Sequence, residues 1–288
     1  LWPQSVPLMK ISKAQGAKVF FEFVECVSRS VWIDIQRKST IEDVEPLVQK
    51  FVSCLVTECA AANMADGCIA LTPEDSSFVT QIMRPKSIDI FPTGISQFAV
   101  LDKLKEYRAG LAESEKSAIF VGYYDHTPNI EGLDWYFKEV HLKIIAAIPE
   151  FKVKIVGRGS LTPLKEKYRS LPGIEWIGEV ADIVPHILSS YICISPLISG
   201  AGLRGKIIQY SMLCRPTVST PIGVCGTPFV DNKSVVIADT PEAFARGVIK
   251  LIGDNDFYEK IAASAKAEAE VHFSWAPVIE KMEIFLRG

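Results

Sequence analysis

Apolar residues along this chain fall in short blocks rich in Val, Ile and Phe, at 19–24, 68–71, 88–91, 118–121, 153–156, 174–177, 192–195, 217–220 and 235–238. Near-continuous blocks of that length and composition predict strands buried on both faces. Between them the period changes. Apolar residues recur at three- and four-residue spacing over 44–64, 131–148, 162–169, 183–190, 203–213 and 241–252, which predicts amphipathic helices. Two further helices are expected near the end, one reaching about residue 271 and one over 276–286, where Val278, Ile279, Met282 and Phe285 make an apolar stripe. Strands that alternate with helices in this way predict the α/β class, with a parallel sheet covered on both faces.

The pattern also divides the chain. Residues 102–116 are charged and poor in large apolar side chains, and they read as a linker. The six β-α units that follow suffice for a complete Rossmann-like domain over 116–273. Residues 1–115 hold only three predicted strands and about three helices, the latter part of a second such domain. At 288 residues, 48% hydrophobic and 23% charged, the chain has the composition of a globular enzyme. Its net charge of -3 argues against nucleic acid as the main ligand, since phosphate backbones are bound by basic surfaces. The seven cysteines are scattered, without CxxC or metal-ligand spacing. They read as reduced, intracellular and core-packing, with no metal expected. No apolar run approaches the ~20 residues of a membrane span, and the opening Leu-Trp-Pro-Gln-Ser is not a signal peptide. Without an initiator Met, the chain reads as a fragment or a processed form.

The chemistry concentrates in Ile-Cys-Ile-Ser-Pro-Leu-Ile-Ser-Gly-Ala-Gly-Leu-Arg-Gly-Lys-Ile-Ile-Gln, residues 192–209. A buried strand ends at Ser195, a turn carries Gly200 and Gly202, and a helix is expected to open near Leu203. Glycines at such a turn let backbone N–H groups approach a ligand, and the helix start offers unpaired donors with partial positive charge. Arg204 and Lys206 add full charges where the helix dipole disfavours cations, which points to a bound anion such as a diphosphate. A plain glycine turn with two solvated cations is the other reading of the same residues. A second strand end, at Val121, is followed by Gly122, His126 and Asn129, and a third turn, 220–226, follows another strand. In open α/β sheets ligands sit at strand carboxyl ends, which makes these turns candidates for the same crevice. His126 alone also reads as a locally bonded loop residue. GxSxG, GxxxxGK[ST], HExxH and paired carboxylates at a strand end are all missing.

Several ordered blocks resemble the C-terminal domain of GT-B glycosyltransferases, specifically the Gly-Ala-Gly branch of the retaining family four (glycosyl transferases group 1). They are Phe-Val-Gly-x5-Pro-Asn-x2-Gly (120–132), Val-Lys-Ile-Val-Gly (153–157), Ile-Glu-Trp-Ile-Gly-Glu-Val-Ala-Asp (174–182), Ser-Pro-Leu-x2-Gly-Ala-Gly-x-Arg-x-Lys (195–206), Arg-Pro-Thr-Val-Ser-Thr-Pro-Ile-Gly (215–223) and Phe-Ser-Trp (273–275). The resemblance implies a GT-B-like fold, with a partial acceptor-side domain over 1–115 and a nucleotide-sugar-binding domain over 116–273. It also implies that a last helix, 274–287, packs back on the first domain. The implied activity is transfer of a sugar from a nucleotide-diphosphate sugar to a glycan or lipid-linked acceptor, in polysaccharide or glycoconjugate synthesis, with a retaining outcome. Arg204 and Lys206 would carry the leaving diphosphate. Gly122 and Asn129 would line the crevice, Gly178 and Val180 would border the base, and Gly200, Ala201 and Gly202 would meet the sugar or phosphate. Where many family members place two glutamates eight apart, this chain has Ala201 and Gln209. Gln209 keeps hydrogen-bonding capacity towards a ribose but no charge. No cofactor is implied beyond the UDP- or GDP-sugar itself. A cytoplasmic location follows, with peripheral association at the inner face of a membrane left open. A non-catalytic GT-B-like subunit and a sugar-nucleotide epimerase are the alternative functions.

Overall fold

The computed structural model describes residues 2–94 and 116–287. Most of the 102–116 linker therefore lies outside the described residues. The chain separates into two compact units, 1–93 with Gly200–Leu203 and Ala276–Gly288, and 94–199 with Arg204–Trp275.

The first unit holds three parallel strands in the order β1-β2-β3: Phe20–Phe23, Gly67–Ala70 and Ile88–Ile90. Four helices accompany them: α1 (Trp2–Ala14), α2 (Val27–Gln36), α3 (Ile41–Met64) and α4 (Pro73–Ile82). The starts of α3 and α4 are capped by Thr40 and Thr72, whose hydroxyls accept from the amides of Asp43 (3.2 Å) and Asp75 (3.1 Å). One apolar core joins Phe23, Ala61, Ala62, Cys68 and Val79. A second joins Ile69 and Phe91 to Val278, Met282 and Phe285, which belong to the last helix, Trp275–Arg287.

The second unit is a six-stranded parallel sheet built from β4 (Ser117–Val121), β5 (Lys152–Val156), β6 (Ile174–Gly178), β7 (Ile192–Ser195), β8 (Thr217–Ser219) and β9 (Val236–Ile237). Their spatial order is β6-β5-β4-β7-β8-β9. That is the doubly wound Rossmann order 3-2-1-4-5-6, which places its topological switch point between β4 and β7. Helices α5 (Thr127–Trp135) and α6 (His141–Ala147) are joined by a π-helical turn, Tyr136–Val140. They are followed by α7 (Thr162–Lys167), α8 (Val184–Leu188), α9 (Gly205–Met212), α10 (Pro221–Val224), α11 (Pro241–Gly253), α12 (Asn255–Phe273) and α13 (Trp275–Arg287). The predicted helix over 203–213 is shorter at its start. Arg204 is its cap, at φ -88° and ψ 69°, because the chain leaves the positive-φ glycines 200 and 202 before turning into the helix at Gly205. Among the described residues no helix is long and apolar enough to cross a membrane.

Candidate functional site

The turn after β4, which borders the switch point, is set by a contact between two backbones. Gly157, which follows β5, holds φ at 134°, and a Cβ there would lie 1.8 Å from the carbonyl oxygen of Gly122. No other residue type fits. The Gly122 amide donates to Val156 O (3.0 Å), the Tyr124 amide to Arg158 O (2.7 Å) and the Tyr124 hydroxyl to Val156 O (2.6 Å). The turn after β4 is thereby pinned to the end of β5. At the top of β4, the Val121 amide donates to the hydroxyl of Tyr210 on α9, at 2.8 Å.

Lys206, in the first turn of α9, reaches across to this turn. Its Nζ donates to Asn129 Oδ1 at 2.7 Å and lies 3.9 Å from the ring centre of Phe120. Asn129 is oriented in turn by its own Nδ2, which donates to Tyr123 O at 2.8 Å. Burial, and secondarily the charge of Arg204, holds the Lys206 pKa well below the ordinary lysine value. The π face and one amide oxygen only partly replace lost hydration, and two of the three ammonium N–H bonds have no protein acceptor among the described residues.

Arg204 is buried, and its Nε donates to Ile222 O at 3.1 Å, which ties the start of α9 to the turn after β8. That turn is itself capped by Thr220, whose hydroxyl accepts from the Gly223 amide at 2.9 Å and donates to Leu197 O. Behind β7, Ser199 bonds to Glu131 on α5, and a Cβ at Gly132 would lie 2.8 Å from Pro196 O. The strand ends of β4, β7 and β8 are thus cross-linked by the side chains the sequence singles out and by glycine contacts.

The turn 200–203 falls with the first unit. Gly200 and Gly202 have φ of 89° and 81°, and the amides of Ala201, Gly202 and Leu203 donate to no acceptor among the described residues.

Residues 115–254 match the family of glycosyl transferases group 1. The chain carries a glycosyl transferases group 1 domain. A curated relative, an uncharacterized 44.6 kDa protein in the cps region of Klebsiella pneumoniae, is 29% identical over 156 residues, which cover 52% of this chain and 40% of the relative. The match thus spans less than half of that relative's length. Among solved structures, sucrose-phosphate synthase from Thermosynechococcus elongatus aligns with a TM-score of 0.70 at 14% identity, covering 93% of this chain and 67% of that one. Anabaena HepE in complex with UDP and glucose aligns at 0.68 and 14%, covering 96% and 73%. WaaG, a glycosyltransferase involved in lipopolysaccharide biosynthesis, aligns at 0.69 and 12%, covering 93% and 75%. These likenesses establish the fold: α/β with parallel sheets, of the GT-B type.

Within the group 1 domain, the structure brings Gly122, Asn129 and Lys206 together, with Arg204 beside them. Gly178 and Val180 sit two strands away, at the end of β6. Gly178, at φ 79°, accepts from the Gly157 amide at 2.7 Å and so connects to Gly122 through that glycine. Gln209 lies half-buried on α9, three residues after Lys206. His126 is exposed at the start of α5 and its ring makes no cap bond, so the local bonding read for it from the sequence is limited to its backbone, whose amide donates to Tyr123 O at 3.3 Å. Phe120, Tyr210 and Gly157 are contributors that the site residues named from sequence leave out. Phe120 reads only as a strand interior position, Tyr210 as a helix residue, and Gly157 as part of an apolar block. Among the described residues, no three His, Cys, Asp or Glu side chains group as metal ligands.

Proposed function

We propose that this protein is a glycosyltransferase that moves a sugar from a nucleotide-diphosphate sugar to an acceptor hydroxyl. The observation that carries the reading is the desolvated Lys206 ammonium at the sheet's switch point, held on Phe120 and Asn129 with Arg204 beside it. Departure of a nucleoside diphosphate concentrates negative charge on the leaving oxygen. Preorganised cations and the start of α9 stabilise that charge more than they stabilise the neutral bond, which is the condition for lowering a barrier. Gly122 and Asn129 keep the crevice wall close to the diphosphate, and the turn after β6, Gly178 to Val180, borders the base. Gln209 would hydrogen-bond a ribose hydroxyl. The turn 200–202 would meet the sugar.

A relative in a cps region and neighbours named for lipopolysaccharide and sucrose phosphate synthesis support a role in polysaccharide or glycoconjugate synthesis with a hexose donor. The retaining outcome, and an acceptor that is a glycan or lipid-linked sugar presented at a membrane face, extend the reading by family resemblance. A non-catalytic binding subunit is the second reading, favoured by Ala201 and Gln209 in place of charged residues.

Incubation with a panel of UDP- and GDP-sugars, scored by released diphosphate, tests the proposal. Lys206→Ala should weaken UDP or GDP binding by about 1.5–3 kcal/mol, the scale of a charge-assisted contact, with the fold retained. Unchanged affinity in calorimetry rejects the diphosphate site. Binding without turnover selects the non-catalytic reading.

A further inference from the structure

The glycine segment between β7 and α9 makes few bonds of its own. Glycines stand at 200, 202 and 205, and the amides of 201–203 have no acceptor among the described residues. Glycine has more backbone freedom to lose than any other residue, so a segment of this kind keeps one shape only where its ends are held. Both ends, Ser199 and Lys206, belong to the second unit, and both are held there by the first turn of α5. At the far end, Lys206 Nζ donates to Asn129 Oδ1 at 2.7 Å. At the near end, the Ser199 hydroxyl donates to the Glu131 carboxylate.

Helix geometry lets one turn supply both tethers. Positions two apart on an α-helix point to different sides, so Asn129 and Glu131 reach separate partners, one on each flank of the segment. Gly132, next along, lets the helix come close: a Cβ there would lie 2.8 Å from Pro196 O and 3.2 Å from Leu197 Cα. The contact is backbone against backbone, and Ser199 is 3% exposed beside it. Glu131 itself is exposed, the ordinary place for a carboxylate, yet it takes a buried hydroxyl in a charge-assisted hydrogen bond. The Thr220 hydroxyl holds Leu197 O as well. The chain is thereby fixed up to the residue at which the glycines begin.

We propose that Glu131 is a positioning residue: through Ser199 it sets where the glycine segment starts, and so keeps the first turn of α9, with Lys206, in the conformation that takes a diphosphate. The inference rests on the glycosyltransferase reading and adds to it a residue that itself meets no ligand. With this tether cut, the segment populates other shapes, and the apparent affinity falls by the fraction that stays competent.

Calorimetric titration with UDP and GDP decides it, on wild type, Glu131→Ala, Glu131→Gln, Ser199→Ala and the double alanine variant, under conditions where urea unfolding shows all five folded. Glu131→Ala should bind the preferred diphosphate at least about fivefold more weakly, the population shift that one lost hydrogen bond to a charged group allows. Glu131→Gln still accepts from a hydroxyl and should recover most of the loss. Ser199→Ala should match Glu131→Ala, and the double variant should lose little more, since each removes the same contact. In the ligand-free protein, hydrogen exchange of the amides of 200–206 should quicken in Glu131→Ala while β4 and β7 stay protected. A role confined to stability would leave the affinity of the folded variants within about twofold of wild type, and that result overturns the assignment. So does a Gln variant as weak as the Ala one, additive losses in the double variant, or unchanged exchange over 200–206. If the wild type binds neither diphosphate, the glycosyltransferase reading is overturned and the role of Glu131 goes with it. Wild-type binding with indifferent variants sinks Glu131 alone.

Discussion

Lys206 carries an internal conflict: the ammonium sits where burial disfavours its charge, and the ligand proposed for it needs that charge. Two opposite pH effects follow. In the ligand-free protein its pKa lies well below the ordinary value. Between that depressed pKa and about 10.4 the unfolded chain binds more protons than the native one, so this group makes native stability rise with pH through that window. A bound diphosphate favours the charged form and raises the pKa again. Binding therefore takes up a proton in the window between the two pKa values. Affinity should be level below the lower pKa and fall as pH rises above it, by up to about tenfold per unit. Titrations in buffers of differing ionisation heat measure the proton taken up. An affinity flat across that window, with no proton uptake, would show that the ammonium does not meet the ligand. Glycine and charge in the 200–206 segment were legible in sequence because they conflict with helix-dipole rules there. The partnership with Asn129, 77 residues away, was not, because nothing local in either segment specifies which strands become neighbours.

At the scale of elements, the nine strands among the described residues were legible because most are short, largely apolar blocks bounded by turn residues. The helices of the first unit were less so. Pro7 interrupts the pattern of α1, and α2 is a ten-residue helix among the charged and polar residues of 27–36. α4 did carry a usable signal, since Thr72-Pro73-Glu74-Asp75 is a cap followed by proline and acids in the first turn. The junction of β4 with β5 is the element on which the site depends most. Gly157→Ala would drive a methyl into the Gly122 carbonyl and occupy a φ that L-residues avoid. Neither backbone can retreat, because both strands are mid-sheet. We expect a loss of about 2–4 kcal/mol in urea unfolding, well above the typical substitution. Gly178→Ala is the contrast. It has the same kind of positive φ, but no atom lies within 4 Å of the added carbon, so it should cost about 1 kcal/mol from the backbone alone.

For the whole molecule, a net charge of -3 repels a nucleoside diphosphate at long range, so attraction must come from the local cations. Arg204 is buried and Lys206 is held against Phe120, where mobile ions screen poorly. Diphosphate affinity should consequently change only a few-fold when salt rises from about 0.01 to 0.15 M, although the Debye length contracts from about 30 to 8 Å. A steep decline in calorimetry would place the ligand on exposed lysines instead. The π-helical turn between α5 and α6 bears on the chain's history in a different way. Asn129, Leu133, Phe137 and His141 all face inward, spread over twelve positions where three turns of α-helix would use about eleven. The turn absorbs one surplus residue, and both ends of the helix keep their inward faces. Losing a residue there would leave an ordinary helix with the same inward phase. This is a place where a lineage can lengthen or shorten by one without disturbing either Asn129 on Lys206 or His141 against Pro172. Alignments of group 1 domains should carry a single-residue gap between positions 136 and 140.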